Sequence, residues 1–421
     1  MIEKEKAILV GVNTQQQVNF EDAMEELKNL AEACELEVAG RVEQNLKVPH
    51  SAYYIGSGKV KEVIALMEDI GAEIIIFNNE LSPSQLRNLE KELHCEILDR
   101  TALILEIFAR RAKTREAKMQ VESAQLKYML PRLAGLRSAL GRQGGGSGLR
   151  NRGAGEKKIE LDRRKIEEKI TELDKELNRI KSERQTQSKK RITTDLPRVA
   201  LAGYTNAGKS TLMNALIERY QKSEEKKVFE KDMLFATLET SVRNIRLEDN
   251  KTFLLSDTVG FVSDLPHDLV KAFRSTLQEI IEADLLIHVI DISNPHYKEQ
   301  LEVTADTLKQ IGAEHLPVIY AYNKVDLLDS DVIPEVEEEG LFIAAKKNIG
   351  IDELIGLISQ KIFAHYVICE MLIPYDRGEI VAYLNENASV KSVSYEEKGT
   401  LLRLECRQSD YKRYEQFLKS C

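Results

Sequence analysis

Short runs of apolar residues alternate along much of the chain with segments in which apolar residues recur every three or four positions. The runs at 7–12 and 72–77 are typical of buried strands in a parallel sheet. The periodic segments predict amphipathic helices, and these are 22–34, 59–70 and 83–93. Because the two patterns alternate, we expect residues 1–110 to form an α/β domain with a largely parallel sheet.

Ser82 and Pro83 predict where the third of these helices begins. The Ser82 hydroxyl can accept a hydrogen bond from a free N–H of the first turn. Pro83 suits the first helical position, where its missing N–H wastes no hydrogen bond.

The stretch 56–59, Gly-Ser-Gly-Lys, looks at first like part of a phosphate-binding loop. The spacing argues against this, because Tyr53 stands where the first glycine of that motif belongs and Val60 follows the lysine. We interpret the stretch as a turn that leads into a helix, with Lys59 in the first helical turn.

The charge balance changes after residue 110. The chain has a formal net charge of −9, yet residues 110–191 contain 24 Lys and Arg against 11 Asp and Glu, and the remainder contains 36 against 58. An acidic protein with one basic segment favours a local contact with a polyanion.

The stretch 141–155 holds seven glycines in fifteen residues. Because such a composition cannot pack a core, it predicts a mobile loop. The helical pattern before it gives way near Pro131. Arg142, Arg150 and Arg152 suit contacts with an RNA backbone and its bases, although a solvated linker without a partner fits the same composition.

A narrow apolar stripe follows the Gly-rich stretch. Its members are spaced alternately by four and three residues, as in a heptad seam, and they are Ile166, Ile170, Leu173, Leu177 and Ile180. Because the seam is short, we expect it to pack against the helix at 115–130 in an intramolecular hairpin rather than in a dimeric coiled coil. Residues 111–192 are therefore predicted to be a basic helical hairpin, and we expect a monomer.

From residue 197 to about 365 the strand and helix patterns resume. Apolar runs predict buried strands at 199–202, 253–256, 285–290, 318–322 and 341–343. Residues 242–247, joined by a turn at 248–251, predict a hairpin partner for the strand at 253–256.

Residues 366–421 predict a small C-terminal α+β domain. Its predicted strands are 367–373, 390–394 and 400–406, and its predicted helices are 378–385 and 411–419.

Cysteine usage and hydropathy exclude several classes of protein. Five scattered cysteines without a Cys-x-x-Cys pair argue against a disulfide framework or a zinc site, and they favour a reducing cytoplasm. No apolar run is long enough to span a bilayer, and the N-terminus lacks the apolar core of a signal peptide. We therefore expect a cytoplasmic protein without a transmembrane segment.

The clearest chemical motif follows the predicted strand at 199–202. The pattern Gly-x-x-x-x-Gly-Lys-Ser/Thr is matched by Gly203, Tyr204, Thr205, Asn206, Ala207, Gly208, Lys209 and Ser210, with Thr211 next. The glycines let consecutive N–H groups form an anion-binding nest at a helix N-terminus. Lys209 can reach the β- and γ-phosphates of a nucleotide, and the Ser210 hydroxyl can ligate Mg²⁺.

Two further motifs fall where a GTPase needs them. Asp257, Thr258, Val259 and Gly260 end the strand at 253–256, where Asp257 can hold the Mg²⁺ shell and the Gly260 N–H can bind the γ-phosphate. Asn323, Lys324 and Asp326 follow the strand at 318–322. A carboxylate at Asp326 would accept hydrogen bonds from N1–H and the 2-amino group of guanine, and adenine offers no such pair of donors.

The remaining candidates complete the nucleotide site. Phe235, Ala236 and Thr237 lie where the first switch belongs; Thr237 could ligate Mg²⁺ and sense the γ-phosphate, and Thr240 is the weaker alternative. Ala344, Ala345 and Lys346 follow the last strand and can contact the guanine edge through the backbone. We thus predict GTP or GDP with Mg²⁺ as ligands. The predicted catalytic residues are Lys209, Thr237 and Gly260, and the predicted metal ligands are Ser210, Thr237 and Asp257.

Taken together with further stretches of the N-terminal half, these motifs make the chain resemble the HflX family of ribosome-associated GTPases over its full length. The N-terminal half contributes the most specific stretches: Tyr-Ile-Gly-Ser-Gly-Lys-Val at 54–60, Asn-Glu-Leu-Ser-Pro-Ser-Gln-Leu-Arg-Asn-Leu at 79–89, Asp-Arg-Thr at 99–101, Ile-Phe-Ala-Arg-Arg-Ala-Lys-Thr-Arg-Glu-Ala-Lys at 107–118, and Asp-Arg-Arg at 162–164 after the Gly-rich loop.

The resemblance implies an N-terminal α/β domain, a helical hairpin with the Gly-rich loop, a P-loop G domain at 197–365 and a small C-terminal domain. It also implies binding to the large (50S) ribosomal subunit and its RNA, with Arg142, Arg150 and Arg152 in the loop. In some members it implies the splitting of stalled 70S ribosomes.

Three positions depart from the family pattern. Ala344 replaces the usual Ser before Ala-Lys, which removes a side-chain hydrogen bond and predicts modestly weaker nucleotide binding. Glu239 replaces a commoner Asp after Thr-Leu, and the Gly-rich loop is slightly longer and poorer in proline than the resemblance implies.

Two more positions bear on the chemistry. Phe261 stands where Ras-like GTPases have a catalytic Gln, and a phenyl ring cannot orient water, so we expect slow hydrolysis until a partner supplies the missing group. Asn206 occupies the position that coordinates K⁺ in TrmE-like GTPases, which makes K⁺ a second candidate cation. A role for Asn206 only as a cap of the loop fits the sequence as well.

Two other functions fit parts of the sequence. A signalling or membrane-associated GTPase without an RNA partner would leave the basic Gly-rich stretch unexplained. An ATP-driven RNA remodeller that uses the N-terminal domain would need a second phosphate loop, which Tyr53 and Val60 argue against.

Overall fold

The structure of the protein is a computed structural model. It describes residues 4–14, 19–142, 149–191, 196–220, 241–263, 277–328 and 340–419, with the backbone alone described at 134–142, 149–160, 181 and 184–191. The chain divides into two compact units, one holding most of the residues up to Glu183 and the other most of those from Arg184 onward.

The first unit contains a parallel four-stranded sheet in the order β2-β1-β3-β4. Its strands are β1 (Lys6–Asn13), β2 (Glu37–Asn45), β3 (Ile74–Phe77) and β4 (Glu96–Asp99). Its helices are α1 (Phe20–Ala33), α2 (Ser57–Ile70), α3 (Pro83–Leu93) and α4 (Arg100–Arg111). The predicted α/β architecture with a parallel sheet is confirmed.

The pattern of apolar runs identified β1 and β3 but missed β2 and β4. The two central strands are buried along nearly their whole length and therefore read as continuous apolar runs. The edge strand β2 is largely exposed or half-buried, and β4 has only four residues. Neither strand gives the long apolar signal of a central strand.

Helix α3 begins as the sequence predicted. Ser82 caps it, because its Oγ accepts from the Gln85 N–H at 3.3 Å, and the Gln85 side chain accepts in turn from the Ser82 N–H at 3.0 Å. The stretch at 56–59 also behaves as predicted, since Lys59 lies in the first turn of α2.

Helix α5 (Arg115–Arg142) continues through Pro131, so the prediction that the helix gives way there is wrong. A proline inside a helix removes one hydrogen bond and costs roughly 3 kcal/mol. Side chains on both sides of the proline are tied to the buried Asp99 carboxylate, which accepts from the Tyr128 hydroxyl and, at 2.8 Å, from the Arg132 guanidinium. These tertiary contacts offset the cost and keep the helix intact.

The long helix α6 (Leu149–Arg191) returns alongside α5. Asp174 accepts from the Ser123 hydroxyl and from the Lys127 ammonium, both at 2.9 Å, and Leu173 is buried. The other seam positions are half-buried, in agreement with the predicted helical hairpin.

The predicted loop at 141–155 is wrong at both of its ends. Gly141 and Arg142 belong to α5, whereas residues 149–155, which include Arg150 and Arg152, belong to α6. A glycine in a helix costs only about 1 kcal/mol relative to alanine, so a long helix can include a few. The remaining part, 143–148, lies outside the described residues.

The second unit contains a six-stranded sheet in the order β10-β9-β8-β5-β7-β6. Its strands are β5 (Arg198–Ala202), β6 (Ser241–Arg246), β7 (Thr252–Asp257), β8 (Leu285–Asp291), β9 (Val318–Asn323) and β10 (Gly340–Phe342). Its helices are α7 (Lys209–Tyr220), α8 (Gln278–Ile281), α9 (Tyr297–Ile311) and α10 (Ile351–Ile362). All pairs are parallel except β6 with β7, which form the predicted hairpin with Ile245 opposite Phe253.

The same unit ends in a three-stranded antiparallel sheet in the order β11-β13-β12. Its elements are β11 (Val367–Ile373), α11 (Gly378–Asn387), β12 (Ser389–Glu396), β13 (Gly399–Cys406) and α12 (Gln408–Arg413). The predicted strands are present, but the predicted last helix is split into α12 and a 3₁₀ turn at Glu415–Phe417. In the part of the chain that the structure describes, no helix is long and apolar enough to cross a membrane.

Candidate functional site

The phosphate-loop motif joins the end of β5 to the start of α7. Lys209, the first residue of α7, is buried, and its Nζ donates to the carbonyl oxygens of Gly203 at 3.0 Å and Tyr204 at 2.8 Å. The Lys209 side chain therefore crosses the interior of the phosphate loop to its first two residues. This arrangement places its ammonium at the helix N-terminus, where anions bind most readily.

Two glycines of the loop are required by backbone geometry. Gly203 has φ +146° and Gly208 has φ +95°, which side-chain-bearing residues rarely adopt. A Cβ on Gly203 would lie 2.2 Å from the Val289 carbonyl oxygen, and one on Gly208 would lie 2.2 Å from Nδ2 of Asn323. The loop can thus lie directly against β8 and the end of β9.

The Asp-x-x-Gly motif lies beside the start of α7. The Ser210 hydroxyl donates to Oδ2 of Asp257 at 2.7 Å, and the Asp257 side chain is fully buried at the end of β7. Thr258 is also buried, and its hydroxyl donates to the Leu201 carbonyl at 2.6 Å. Two hard oxygen ligands side by side at a phosphate loop match the donors that Mg²⁺ prefers.

Residues 260–261 lie directly on the phosphate loop. The Thr205 N–H donates to the Phe261 carbonyl at 2.7 Å, and the Phe261 N–H donates to the Gly203 carbonyl at 3.2 Å. A Cβ on Gly260 would lie 2.6 Å from the Thr205 Cα and 3.0 Å from the Lys209 Nζ. The Phe261 ring is buried and carries no hydrogen-bonding group, so it cannot replace a polar catalytic side chain.

Asn323 connects the phosphate loop with the loop after β10. Its Nδ2 donates to the Ala207 carbonyl at 2.9 Å, and its Oδ1 accepts from the Ala345 N–H at 3.0 Å. The side chain is buried, so both bonds are shielded from water. The motifs at 203–210, 323–326 and 344–346 therefore meet at one edge of the sheet.

Lys324 and Asp326 follow Asn323 on a 3₁₀ turn at Val325–Leu327. Lys324 has φ +68° and pairs with Asp291 at 2.6 Å, whereas Asp326 pairs with Lys347 at 3.3 Å. Both members of the predicted base-contacting pair thus have an oppositely charged partner.

Burial changes the protonation of two groups under the phosphate loop. It lowers the pKa of Lys209 to about 8, with the Asp257 charge acting in the opposite direction. Burial also lowers the pKa of His288, on β8, to about 3, and the Lys209 charge acts in the same direction. His288 is therefore neutral at physiological pH and adds no positive charge beside Lys209.

The structure describes most of the predicted site residues but not all of them. Asn206 is exposed with φ +60°, Ala344 is fully buried, and Lys346 is exposed on the turn after β10. The predicted first switch, Phe235, Ala236 and Thr237, and the alternative Thr240 lie outside the described residues. Thr211 and Val259 lie beside the motifs already described, in the first turn of α7 and after Asp257.

Sequence reasoning missed three residues at this site, namely Asp291, His288 and Lys347. Asp291 ends β8, and a polar residue at the carboxyl end of a parallel strand beside a phosphate loop could have been noticed. His288 stands inside an apolar run, and Lys347 is the second of two neighbouring lysines. The sequence gives no signal that separates these two from ordinary residues.

The parallel sheet, the phosphate loop between β5 and α7, and the Asp-x-x-Gly and Asn-Lys-x-Asp segments at the carboxyl ends of β7 and β9 define a P-loop GTPase. Three family models match consecutive parts of the chain. They are described as GTP-binding GTPase N-terminal at residues 21–109, GTP-binding GTPase Middle Region at 111–191 and 50S ribosome-binding GTPase at 198–324.

The curated relatives identify the family. GTPase HflX of Caldanaerobacter subterraneus subsp. tengcongensis is 42% identical over 96% of this chain and 91% of the relative. GTPase HflX of Escherichia coli is 36% identical over 94% of this chain and 92% of the relative. With these two relatives, the chain belongs to the HflX family of GTPases.

Among solved structures, one described as a complex of SsGBP and GDP is 26% identical over 86% of this chain and 99% of that chain, with a TM-score of 0.49.

Proposed function

We propose that the chain binds GTP and GDP through the motifs brought together at the edge of the six-stranded sheet. The loop 203–211 would cradle the phosphates, Lys209 would neutralise their charge, and the Gly260 N–H would contact the γ-phosphate. Asp326 would select guanine, with Lys324 over the base and residues 344–346 along its edge. Lys209, Gly260 and Thr237 are the proposed catalytic residues.

The observation that supports a triphosphate-dependent switch is the contact between residues 260–261 and the phosphate loop. The Thr205 N–H, a phosphate-loop donor, is engaged by the Phe261 carbonyl. A γ-phosphate that recruits the Gly260 N–H would compete with this contact and shift residues 260–261. GDP lacks that phosphate and would leave the contact in place.

Mg²⁺ fits the oxygen donors at the site. Ser210 and Asp257 would hold it, with Thr237 as the third predicted ligand, and the ion would stabilise charge on the phosphates. K⁺ at Asn206 is a further part of the proposal. Replacing K⁺ by Na⁺ should slow hydrolysis, and equal rates would exclude this role of Asn206.

We propose that hydrolysis is slow in the isolated protein, because the buried Phe261 cannot orient a water molecule. The large ribosomal subunit would supply or order the missing group. Addition of 50S subunits should raise the single-turnover rate, whereas rapid hydrolysis that 50S subunits leave unchanged would contradict the proposal.

The proposed partner is the 50S subunit in the cytoplasm, with splitting of 70S ribosomes as the proposed outcome. Support comes from the description of the family model that matches 198–324 and from the basic segment at 110–191. Within that segment, Arg142, Arg150 and Arg152 are the proposed RNA contacts. We propose a monomer made of four parts, at 1–110, 111–192, 197–365 and 366–421.

Sedimentation of 70S ribosomes with the protein tests this function. Movement of 70S particles into 30S and 50S should occur with GTP or a non-hydrolysable analogue but not with GDP. Failure to co-sediment in any nucleotide state would instead favour a GTPase without an RNA partner.

A charge-matched pair of variants tests the RNA contact. Replacing Arg142, Arg150 and Arg152 together by Ala should weaken 50S binding and flatten its salt dependence. Replacing the exposed Lys47, Lys61 and Lys91 by Ala removes the same charge from the same unit and should change binding little. Equal effects of the two triple variants would contradict a specific role of the arginines.

A further inference from the structure

Two ion pairs flank the Asn-Lys-x-Asp segment. Lys324 Nζ lies 2.6 Å from Oδ2 of Asp291, and their side chains are 23% and 17% exposed. Lys347 Nζ lies 3.3 Å from Oδ2 of Asp326, and their side chains are 58% and 12% exposed. The two residues proposed to contact the base thus each have a partner that the motif itself does not contain.

Ser293 orients the Asp291 carboxylate toward Lys324. Its Oδ1 accepts from the Ser293 N–H at 3.1 Å and from the Ser293 hydroxyl at 2.5 Å, which leaves Oδ2 for the Lys324 ammonium. Lys324 itself has the left-handed φ of +68° at the start of its 3₁₀ turn. The ion pair therefore orients a lysine whose stem is proposed to lie over the base.

Lys347 projects from a short closed loop. Ala344 and Ile349 exchange two backbone hydrogen bonds, each of 3.1 Å, and Asn348 between them has the left-handed φ of +57°. The loop is tied to the base motif because the Ala345 N–H donates to Asn323. These backbone hydrogen bonds fix the loop that places Lys347 beside the Asp326 carboxylate.

The chemistry of guanine makes the orientation of this carboxylate important. Two parallel hydrogen bonds, from N1–H and the 2-amino group, require both oxygens of Asp326 to face the base edge in one plane. A carboxylate has about four acceptor positions, so Lys347 can occupy an outer one while the base uses the inner ones. A charge-assisted bond from Lys347 would hold that plane.

We propose that Lys347 and Asp291 are positioning residues of the base site with different effects. Lys347 increases the selectivity for guanine through Asp326. Asp291 strengthens the binding of any purine nucleoside diphosphate through Lys324. This rests on the proposed roles of Asp326 and Lys324. A single bond from N1–H can follow a carboxylate that rotates, but the second bond, from the 2-amino group, needs the carboxylate held in the plane of the base. Loss of Lys347 therefore weakens mainly the bond to the 2-amino group, whereas loss of Asp291 loosens the stem over the ring, which every purine has.

Binding of GDP and inosine diphosphate to the full-length protein separates the two effects, because inosine lacks the 2-amino group. Lys347→Gln should raise the GDP dissociation constant by about threefold, as expected for a pair with one exposed partner, and leave that of inosine diphosphate nearly unchanged. Lys347→Arg should restore the wild-type preference. Asp291→Asn should raise the dissociation constants of both nucleotides about tenfold and leave the ratio of the two constants unchanged.

Two further variants make the result unambiguous. Lys361→Gln removes an exposed lysine in the last turn of α10 and should leave both dissociation constants as in the wild type. Asp326→Asn should raise the dissociation constant of GDP about a hundredfold, since two hydrogen bonds to a charged acceptor are lost.

If Asp326→Asn binds GDP with the wild-type dissociation constant, the proposed function of Asp326 fails. If it loses GDP while Lys347→Gln keeps the wild-type preference for GDP, only the role of Lys347 is overturned. An unchanged affinity in Asp291→Asn overturns the role of Asp291.

Discussion

Lys251 and Glu405 form an ion pair of 2.9 Å that links the turn of the β6–β7 hairpin to β13. Their side chains are only 11% and 17% exposed, and the Lys251 ammonium also lies 5.3 Å from the centre of the Phe363 ring. Around the pair, Arg246 donates to the Glu386 carbonyl and Asn250 to the Asn385 carbonyl. Because β7 ends at Asp257, the hairpin physically connects the nucleotide site with the C-terminal sheet.

Lys251→Met should lower the free energy of unfolding by about 2 kcal/mol, less than for a fully buried pair because both partners keep some contact with water. Urea unfolding of the single variants Lys251→Met and Glu405→Gln and of the double variant gives the coupling between the two residues. The pair of Lys419 with Glu396, 42% and 38% exposed, is the control, and Lys419→Met should cost under about 1 kcal/mol. Equal losses in the free energy of unfolding for Lys251→Met and Lys419→Met would contradict a larger contribution of the more buried pair.

Asn323→Ala should lower both stability and nucleotide affinity, because it leaves the buried Ala207 carbonyl and Ala345 N–H without their partner. A loss of about 2–3 kcal/mol in the free energy of unfolding is expected, with GDP affinity falling at least tenfold. The exposed Asn385 makes one local side-chain bond, to the Val381 carbonyl, so Asn385→Ala should cost less than about 1 kcal/mol. Calorimetric titration with GDP and urea unfolding measure the two quantities. An Asn323→Ala protein with wild-type GDP affinity would contradict the bridging role.

GDP affinity should fall as the pH rises through the pKa of Lys209, which burial lowers to about 8. The bound phosphates favour the charged ammonium, so above that pH binding must first protonate the lysine. Between pH 7 and 8.5 the dissociation constant should rise about fourfold. In Lys209→Arg, any residual binding should not change over this range, because a guanidinium stays charged. A wild-type affinity that is flat across the range would contradict the lowered pKa.

His288 should make the folded protein sensitive to acid. Its pKa is about 3 in the folded state against about 6.5 in the unfolded chain, so between these values only the unfolded chain takes up the proton. Above pH 6.5 the imidazole is neutral in both states, and the stability of the fold is fully present. As the pH falls to 5, the free energy of unfolding decreases by about 2 kcal/mol.

Urea unfolding at pH 7 and pH 5 tests this contribution by comparison with His288→Gln. The wild type should lose about 2 kcal/mol more stability on acidification than the variant, whose side chain does not titrate. The same loss in both proteins would assign the acid sensitivity to other groups.

Much of the fold was predictable because the signals are local. Central strands such as β1 and β5 are buried on both faces and read as apolar runs, and the Ser82 cap uses residues three positions apart. Pro131 shows the limit of this reasoning. Its local effect is to break a helix, but Asp99 on another element holds Tyr128 and Arg132 on either side of it.

The sequence by itself determined the phosphate loop, the order of the nucleotide motifs, the parallel architecture and the family, because each depends on residues that lie close together in the chain. Only the tertiary structure decided which side chains surround those motifs. Asp291 meets Lys324 across 33 positions, and the Asn323 amide reaches the Ala207 carbonyl across 116. Such pairs depend on the register of β8 and β9 and on the path of the loops between strands. Strand register and loop path are set by the packing of the whole sheet, so they leave no periodic pattern in the chain.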